Sequence, residues 1–537
     1  MKIKLLDCTL RDGAYIVEGQ FGKKAIRGMI EHLQNANIDI IECGWLKDDE
    51  YHEGSTYYYQ PSDLSQYLPK CIKKETLYVA MIDYNRFDIS RLPENSRDSI
   101  DAIRIVFPQE KTKEGLSLIK PIRDKGYKVF LQIANTFGYS DIELIRLAED
   151  VNKHDIVGLS IVDTFGVMYE DDLNRVLMIL NNHLREDIAL GFHSHNNQQL
   201  SFALSMFFVE TMIRYGDRDC VVDASLCGMG RGAGNTPTEL LAGYLNKRFH
   251  TFYDMNVIMD TVDIYMTYFQ DNYEWGYSVP YMLSGVYACH VNNIAYLTKT
   301  HRTKTKDIKN VLENMLPEYR KRYDYDYLDD VYYDVMNKQI DDSDTKAFLA
   351  DHIAGKEIVA IAPGYMAKQE IGCVNEYIDG HSNVVVIGIN SLLDGYRYDY
   401  LFFTNEVKYS MAIDSHEDKM KRICRIITSN IDANEKLVLN YNELIRRKWK
   451  YYDNSTIMFL WLMITLKPQK ICFVGFDGYS HLNSVHYADR WLEPPIDDEE
   501  VIVLQANIRE MLYEFIRINK GKIDISFLTK SDFEDLF

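Results

Sequence analysis

The run Ile188-Ala-Leu-Gly-Phe-His-Ser-His-Asn-Asn197 joins a short apolar, strand-like segment (188–192) to two histidines two residues apart, His193 and His195. Side chains alternate along a strand, so both imidazoles face the same side of it. Fixed there, they can share a metal ion, and a third ligand from another strand would complete a facial set with open positions for substrate. The segment is one of eight. Similar β-branched runs stand at 3–6, 38–42, 77–82, 103–107, 128–133, 157–162 and 220–224, with helix-like segments between them. Strands alternating with amphipathic helices imply right-handed βαβ crossovers and a parallel sheet. Eight such units predict an α/β fold of the (β/α)8 TIM-barrel type over residues 1–250.

In such a barrel the active site forms where the strands end and the βα loops begin. Polar residues gather at those ends: Asp7, Arg11 and Asp12, Glu42, Asp83, Gln132 and Asn135, Asp163 and Thr164, the two histidines, Asp223 and Ser225. The first strand runs into Leu6-Asp7-Cys8-Thr9-Leu10-Arg11-Asp12-Gly13, which makes Asp12 the candidate third ligand. One carboxylate with two imidazoles suits an octahedral divalent ion that keeps exchangeable positions: Mn²⁺ or Mg²⁺, with Co²⁺ as a further choice. The bland alternative for the histidines is a hydrogen-bonded pair at a barrel rim, and for Arg11 an ion pair with Glu42 or Asp83.

The chain has 537 residues, 46% of them hydrophobic, and a formal charge of −20. Such a balance argues against nucleic acid as the main partner, because phosphate binding runs on clustered Lys and Arg. The basic runs at 302–309 and 446–450 read as solvated helix faces. No apolar run approaches the ~20 residues of a membrane span, and the start lacks the apolar stretch of a secretion signal. Nine cysteines without paired spacing suit free thiols in a reducing cytoplasm. Residues 251–350 read as a helical extension, with helices at 305–316 and 327–338. A second domain, 351–537, restarts with a strand at 357–362 before Pro363-Gly364. Further strands at 384–389, 400–403, 471–475 and 523–528 alternate with helices at 455–466 and 500–519, which predicts a Rossmann-like α/β domain.

Four separated motifs carry a family resemblance over about residues 1–290: Asp7-x-Thr9-Leu10-Arg11-Asp12-Gly13, Asp163-Thr164-Phe165-Gly166-Val167-Met168, His193-x-His195, and Asp223-Ala-Ser-Leu-x-Gly-x-Gly-x-Gly-Ala-Gly-Asn235. Together they resemble the metal-dependent pyruvate lyase and synthase superfamily, in particular its 4-hydroxy-2-oxovalerate aldolase branch. The resemblance implies that Asp12, His193 and His195 bind the metal, with Asn235 closing on the same site. It implies that Arg11 stabilises an enolate oxygen, that the Thr164 hydroxyl holds the substrate carboxylate, and that Gly166 lets backbone approach the ligand. Where those aldolases carry a proton-transferring histidine this chain has Tyr15, and Gly276-Tyr277-x-x-x-Tyr281 matches a further motif. Tyr15, Tyr281 or a water is therefore expected to move the proton on the alcohol oxygen. Alternatives remain at three positions: a hydroxyl bonding backbone for Thr164, a turn role for Asn235, and packing for Tyr281.

The expected activity is class II aldol chemistry between a pyruvate-type 2-oxo acid and an aldehyde, in a homo-oligomer. A Schiff-base aldolase would need a strand-tip lysine, for which only Lys47 is near. An acyl-coenzyme A condensing synthase is the alternative within the superfamily. The C-terminal domain more weakly resembles Rossmann-like sialyltransferase-like and pterin-pyrophosphokinase-like proteins through Ala360-Ile-Ala-Pro-Gly364 and Ile471-Cys-Phe-Val-Gly-Phe-Asp-Gly478. That likeness implies a nucleotide or nucleotide-sugar partner, a transferase activity and a link to surface-glycan synthesis.

Overall fold

The computed structural model describes residues 2–70, 75–96, 98–216, 218–299, 303–336, 339–479, 486–489, 492 and 498–537. The chain divides into two compact units, Met1–Tyr325 and Asp326–Phe537. The division falls inside the 251–350 stretch read as one helical extension. The predicted helix at 327–338 is found as Tyr325–Met336, and residues 337 and 338 lie outside the described residues.

Unit one is a closed parallel barrel. Its strands are β1 (Ile3–Asp7), β2 (Ile40–Leu46), β3 (Tyr57–Tyr58), β4 (Leu77–Asp83), β5 (Ala102–Phe107), β6 (Lys128–Ile133), β7 (Gly158–Asp163), β8 (Ala189–Ser194) and β9 (Cys220–Ala224). They pair in the order β1-β9-β8-β7-β6-β5-β4-β2-β3, and β1 also pairs with β2, which closes the ring. Leu6 opposite Ile40 and Leu5 opposite Val222 set β1 between its two neighbours. The eight predicted strands make the ring. The two-residue β3 is an addition on β2, too short to leave a pattern in sequence. Gly44 admits it: at φ +144° a Cβ there would stand 2.2 Å from the Thr56 carbonyl oxygen.

The crossover helices turn apolar stripes to the strands. Lys23–Asn35 buries Ile26, Met29, Ile30 and Leu33, and Glu170–His183 buries Leu173, Val176, Leu177 and Leu180, both at the spacing of one helix face. Asp141–Val151 starts in a Ser140/Glu143 capping box, which satisfies two otherwise orphan amides. Inside the ring, Leu6, Ile40, Val79, Ala102, Phe130, Ala189 and Val221 form an apolar plug. Two residues farther along several of these strands the same inward face carries Glu42, Arg104, Gln132 and Asp223, all buried. The period of two thus lifts the barrel interior from an apolar floor to a polar layer under the mouth.

Unit two is a seven-stranded parallel sheet built from β10 (Glu357–Ile361), β11 (Val384–Ile389), β12 (Tyr400–Phe403), β13 (Cys424–Thr428), β14 (Leu437–Leu439), β15 (Lys470–Val474) and β16 (Asp524–Phe527). The order β14-β13-β12-β11-β10-β15-β16 reverses direction between β10 and β15, the arrangement of an open doubly wound α/β domain. Two of these strands are absent from the sequence reading: β13 begins with exposed Cys424 after a charged stretch, and β14 has only three residues. Among the described residues no helix is long and apolar enough to cross a membrane.

Candidate metal centre and active site

Asp12 follows β1 in a single helical turn, Thr9–Asp12, while His193 is the second-last residue of β8 and His195 begins the loop after it. The barrel brings the three together with ligand atoms all within 4.8 Å of one another. Asp12 is fully buried, and His193 and His195 are 3% and 6% exposed. The two imidazole rings stand edge to face, 5.1 Å between centroids. Burial drives the His195 imidazole down to about 3, with the Asp12 carboxylate opposing that shift; the ring is neutral, as a metal ligand must be. Burial alone would raise Asp12, but its charged neighbours, the Arg11 guanidinium foremost, outweigh it and hold the carboxyl well below the usual range.

A chain of buried charges surrounds this group. Arg11 donates from Nη1 to Asp12 Oδ1 at 2.6 Å and from Nε to Glu42 Oε2 at 2.7 Å. Arg104 lies 2.9 Å from the same Glu42 oxygen and donates to Asp223 Oδ2 at 2.6 Å. Asp223 Oδ2 in turn lies 3.1 Å from His193 Nδ1. Three carboxylates (Asp12, Glu42, Asp223) against two guanidinium groups (Arg11, Arg104) leave one formal negative charge among these buried side chains. Uncompensated buried charge is costly. Glu42 Oε1, Asp223 Oδ1 and Asn235 Oδ1 are buried without hydrogen-bond partners. Residual negative charge, a neutral imidazole and an orphaned amide oxygen are a donor set that fits a divalent cation.

Asn235 donates from Nδ2 to Asp12 Oδ2 at 2.7 Å and bridges back to His195 through an isolated antiparallel pair. It therefore touches the metal group itself. Thr164 is half-buried, and its hydroxyl accepts the Asn135 N–H at 2.7 Å, the backbone-bonding arrangement. Gly166 has φ +62°, and a Cβ there would stand 2.7 Å from the His195 carbonyl oxygen. Its need for glycine is thus the packing of the 163–168 loop on the histidine loop. Gly166→Ala is expected to cost about 1–3 kcal/mol, read as faster amide exchange over 193–198 than in the unaltered protein. Unchanged exchange there would remove this role.

Tyr15 closes a short turn, Gly13–Tyr15, with its ring edge-on to Trp45 at 5.8 Å. Burial pushes its phenol above the ordinary value, with Arg231 and Arg11 pulling the other way. Tyr281 lies in the helix Val279–Val286; its ring stands beside Gly232, and burial raises its phenol as well. Lys47 Nζ rests 3.4 Å above the Tyr57 ring.

Three residues at the site escape a reading by motif. Arg104 lies inside an apolar strand, Ala102–Phe107. Arg231 fills a variable position of the glycine-rich motif, yet its guanidinium carbon sits 4.0 Å over the Tyr15 ring. His290 comes from the helical extension and lines a narrow cleft with Thr164, His195 and Arg231. The Asn292 N–H donates to its Nδ1 at 3.1 Å, and burial lowers this imidazole to about 3, so the neutral ring carries its proton on Nε2.

The HMGL-like family model matches residues 2–265. Among curated proteins, 4-hydroxy-2-oxovalerate aldolase 6 of Rhodococcus jostii (strain RHA1) is 26% identical over 251 residues, 46% of this chain and 68% of that protein. Oxaloacetate decarboxylase of Mycobacterium tuberculosis is 25% identical over 261 residues, 46% of this chain and 70% of that protein. Among solved structures, the N-terminal domain of a candidate aldolase from Bacteroides vulgatus aligns with 56% of this chain and 98% of its own, at 26% identity and a TM-score of 0.48. The stretch that matches the HMGL-like family model, residues 2–265, is the one that forms the barrel and carries its buried Asp-His-His group.

Proposed function

We propose that the barrel is a divalent-metal-dependent aldolase that makes or breaks the carbon–carbon bond between a pyruvate-type enolate and an aldehyde. The observation that carries this reading is the buried Asp12, His193 and His195 group at the mouth of the barrel. These three residues, with Asn235 beside Asp12, would hold Mn²⁺ or Mg²⁺, or Co²⁺ in their place. When bound, such an ion supplies Lewis-acid withdrawal of electrons from the carbonyl of a 2-oxo acid.

Arg11 is held by two carboxylates, so its guanidinium is fixed in orientation before substrate arrives and adds positive charge where an enolate oxygen develops. In the condensing direction C3 of the enolate bonds to the aldehyde carbon, and the carbonyl electron pair moves to the aldehyde oxygen. Tyr15 can then supply the proton that oxygen needs. A phenol held above its ordinary value is a poor base at neutral pH but a competent donor to an alkoxide. The resulting phenolate regains its proton from water. Thr164 and Gly166 line the carboxylate side in this reading, and Tyr281 stands behind the glycine loop.

The test is metal analysis of the purified protein with pyruvate C3 proton exchange in deuterium oxide. About one divalent ion per chain is expected, with exchange lost on chelation and restored by Mn²⁺ or Mg²⁺. Metal-free protein without exchange, or inactivation by borohydride in the presence of pyruvate as for a Schiff base on Lys47, would sink the reading. For unit two we propose a nucleotide or nucleotide-sugar ligand. Its support is the reversal of strand order between β10 and β15, the first followed by Gly364 at the start of the helix Tyr365–Gln369 and the second by Gly475 at φ +66°, where open α/β sheets take their ligands. Buried unpaired thiols such as Cys8, Cys43 and Cys220 support the cytoplasm as its place.

A further inference from the structure

Arg231 is a half-buried cation whose Nε is enclosed without a partner, and among the described residues its guanidinium makes no ion pair or hydrogen bond. Stacking on Tyr15 at 4.0 Å covers its face but leaves its in-plane donors unused. The Asp12 carboxylate is already occupied by Arg11 and Asn235. The position of Arg231 is built rather than incidental. Gly228, Gly232 and Gly234 around it all have positive φ. The Ala233 N–H donates to Asn197 Oδ1 at 3.0 Å, and the Gly276 N–H donates to the Gly232 carbonyl at 3.2 Å. A second cation flanks the same aromatic patch: Lys47 Nζ lies over Tyr57 and 6.0 Å from the Trp45 ring, again without an ion pair among the described residues.

We infer that Arg231 is a specificity residue that binds an anionic group on the aldehyde acceptor, so that the substrate pairs a 2-oxo acid with an oxyanion-bearing aldehyde. This rests on the aldolase reading above. The guanidinium lies on the ring of Tyr15, the residue placed at the acceptor oxygen, and it borders the cleft shared with Thr164, His195 and His290. An acceptor whose carbonyl meets Tyr15 therefore extends its far end toward Arg231. A planar fork of unused donors matches a carboxylate or phosphate two oxygens at a time. A neutral alkyl aldehyde would leave those donors desolvated and unpaired, which disfavours it.

The test compares condensation of pyruvate with succinic semialdehyde, glyceraldehyde 3-phosphate and butanal by the metal-loaded full chain. At least one anionic aldehyde is expected to exceed butanal in kcat/KM by about 10- to 100-fold, the range of one charge-assisted contact. Which of the two does so tells carboxylate from phosphate. Arg231→Gln is expected to erase that ratio, and Arg231→Lys to keep part of it. Equal use of butanal by the unaltered protein overturns the inference. So does an Arg231→Gln protein that weakens all three acceptors alike with a raised KM for pyruvate, since the arginine would then serve the pyruvate carboxylate. Absence of pyruvate exchange in the unaltered protein overturns the aldolase reading and this inference together, whereas exchange without acceptor preference overturns this inference alone.

Discussion

Asp12→Asn is expected to yield protein without bound divalent metal and with pyruvate C3 exchange lowered by about 10³-fold or more, the scale of several kcal/mol of Lewis-acid stabilisation. An amide has almost the shape of a carboxylate, so the loss is one of charge and of hydrogen-bond sense. Both Asp12 oxygens are acceptors in use, Oδ1 from Arg11 Nη1 and Oδ2 from Asn235 Nδ2. An asparagine must turn its NH₂ toward one of those donors and lose that bond. The substitution also cancels the single residual negative charge of the pocket, leaving two carboxylates against two guanidinium groups. Metal content by mass spectrometry and exchange by proton NMR read the two effects separately. Full metal occupancy in the Asp12→Asn protein would mean that the binding group lies elsewhere.

The parts of this site legible in sequence are those that repeat with the barrel. Each strand ends where an apolar alternation breaks, and the break carries a polar residue, so Asp12, His193 and His195 stand out in the sequence. Arg11 with Glu42 is legible for the same reason: the ion pair exists, and in the proposed aldolase it would orient the guanidinium toward a developing enolate oxygen. Arg104 is not legible. In Ala102-Ile-Arg-Ile-Val-Phe107 a lone charge in a buried strand reads as a residue turned outward. Only the register of β5 on its neighbours points it into the ring, two residues above Ala102 of the apolar plug. Arg231 and His290 are hidden differently. One sits among glycines whose pattern attracts the reading to themselves, and the other reaches the mouth from a helical segment with no barrel periodicity. In unit two, β14 is an edge of three residues, below the length at which alternation can be counted.

Arg104→Met is expected to cost about 3–5 kcal/mol of unit-one stability, although methionine fills much the same volume. Arg104 is 1% exposed, and its two Nη atoms face Glu42 at 2.9 Å and Asp223 at 2.6 Å. Removing one cation takes the formal charge of the pocket from −1 down to −2 and leaves the Asp223 carboxylate without the guanidinium that lowers its pKa against burial. Asp223 then has two ways to relax, by taking up a proton or by turning toward water, and both weaken its 3.1 Å contact with His193 Nδ1. A carboxylate beside Nδ1 favours the tautomer that frees Nε2 for a metal, so metal affinity should fall about 10- to 100-fold, as when the partner of a ligating histidine is lost. Amide exchange of β5 and β9 reports on the barrel separately from unit two, and calorimetric titration with Mn²⁺ gives the affinity. Replacing Glu42 and Asp223 by leucine together with Arg104→Met should recover most of the strand protection, because no buried charge is then left unpaired, while metal affinity stays low. Protection that is lost in the single variant and recovered in the triple one identifies the charge chain as a unit that positions His193; a triple variant no more protected than the single one would place the cost in lost packing around Arg104.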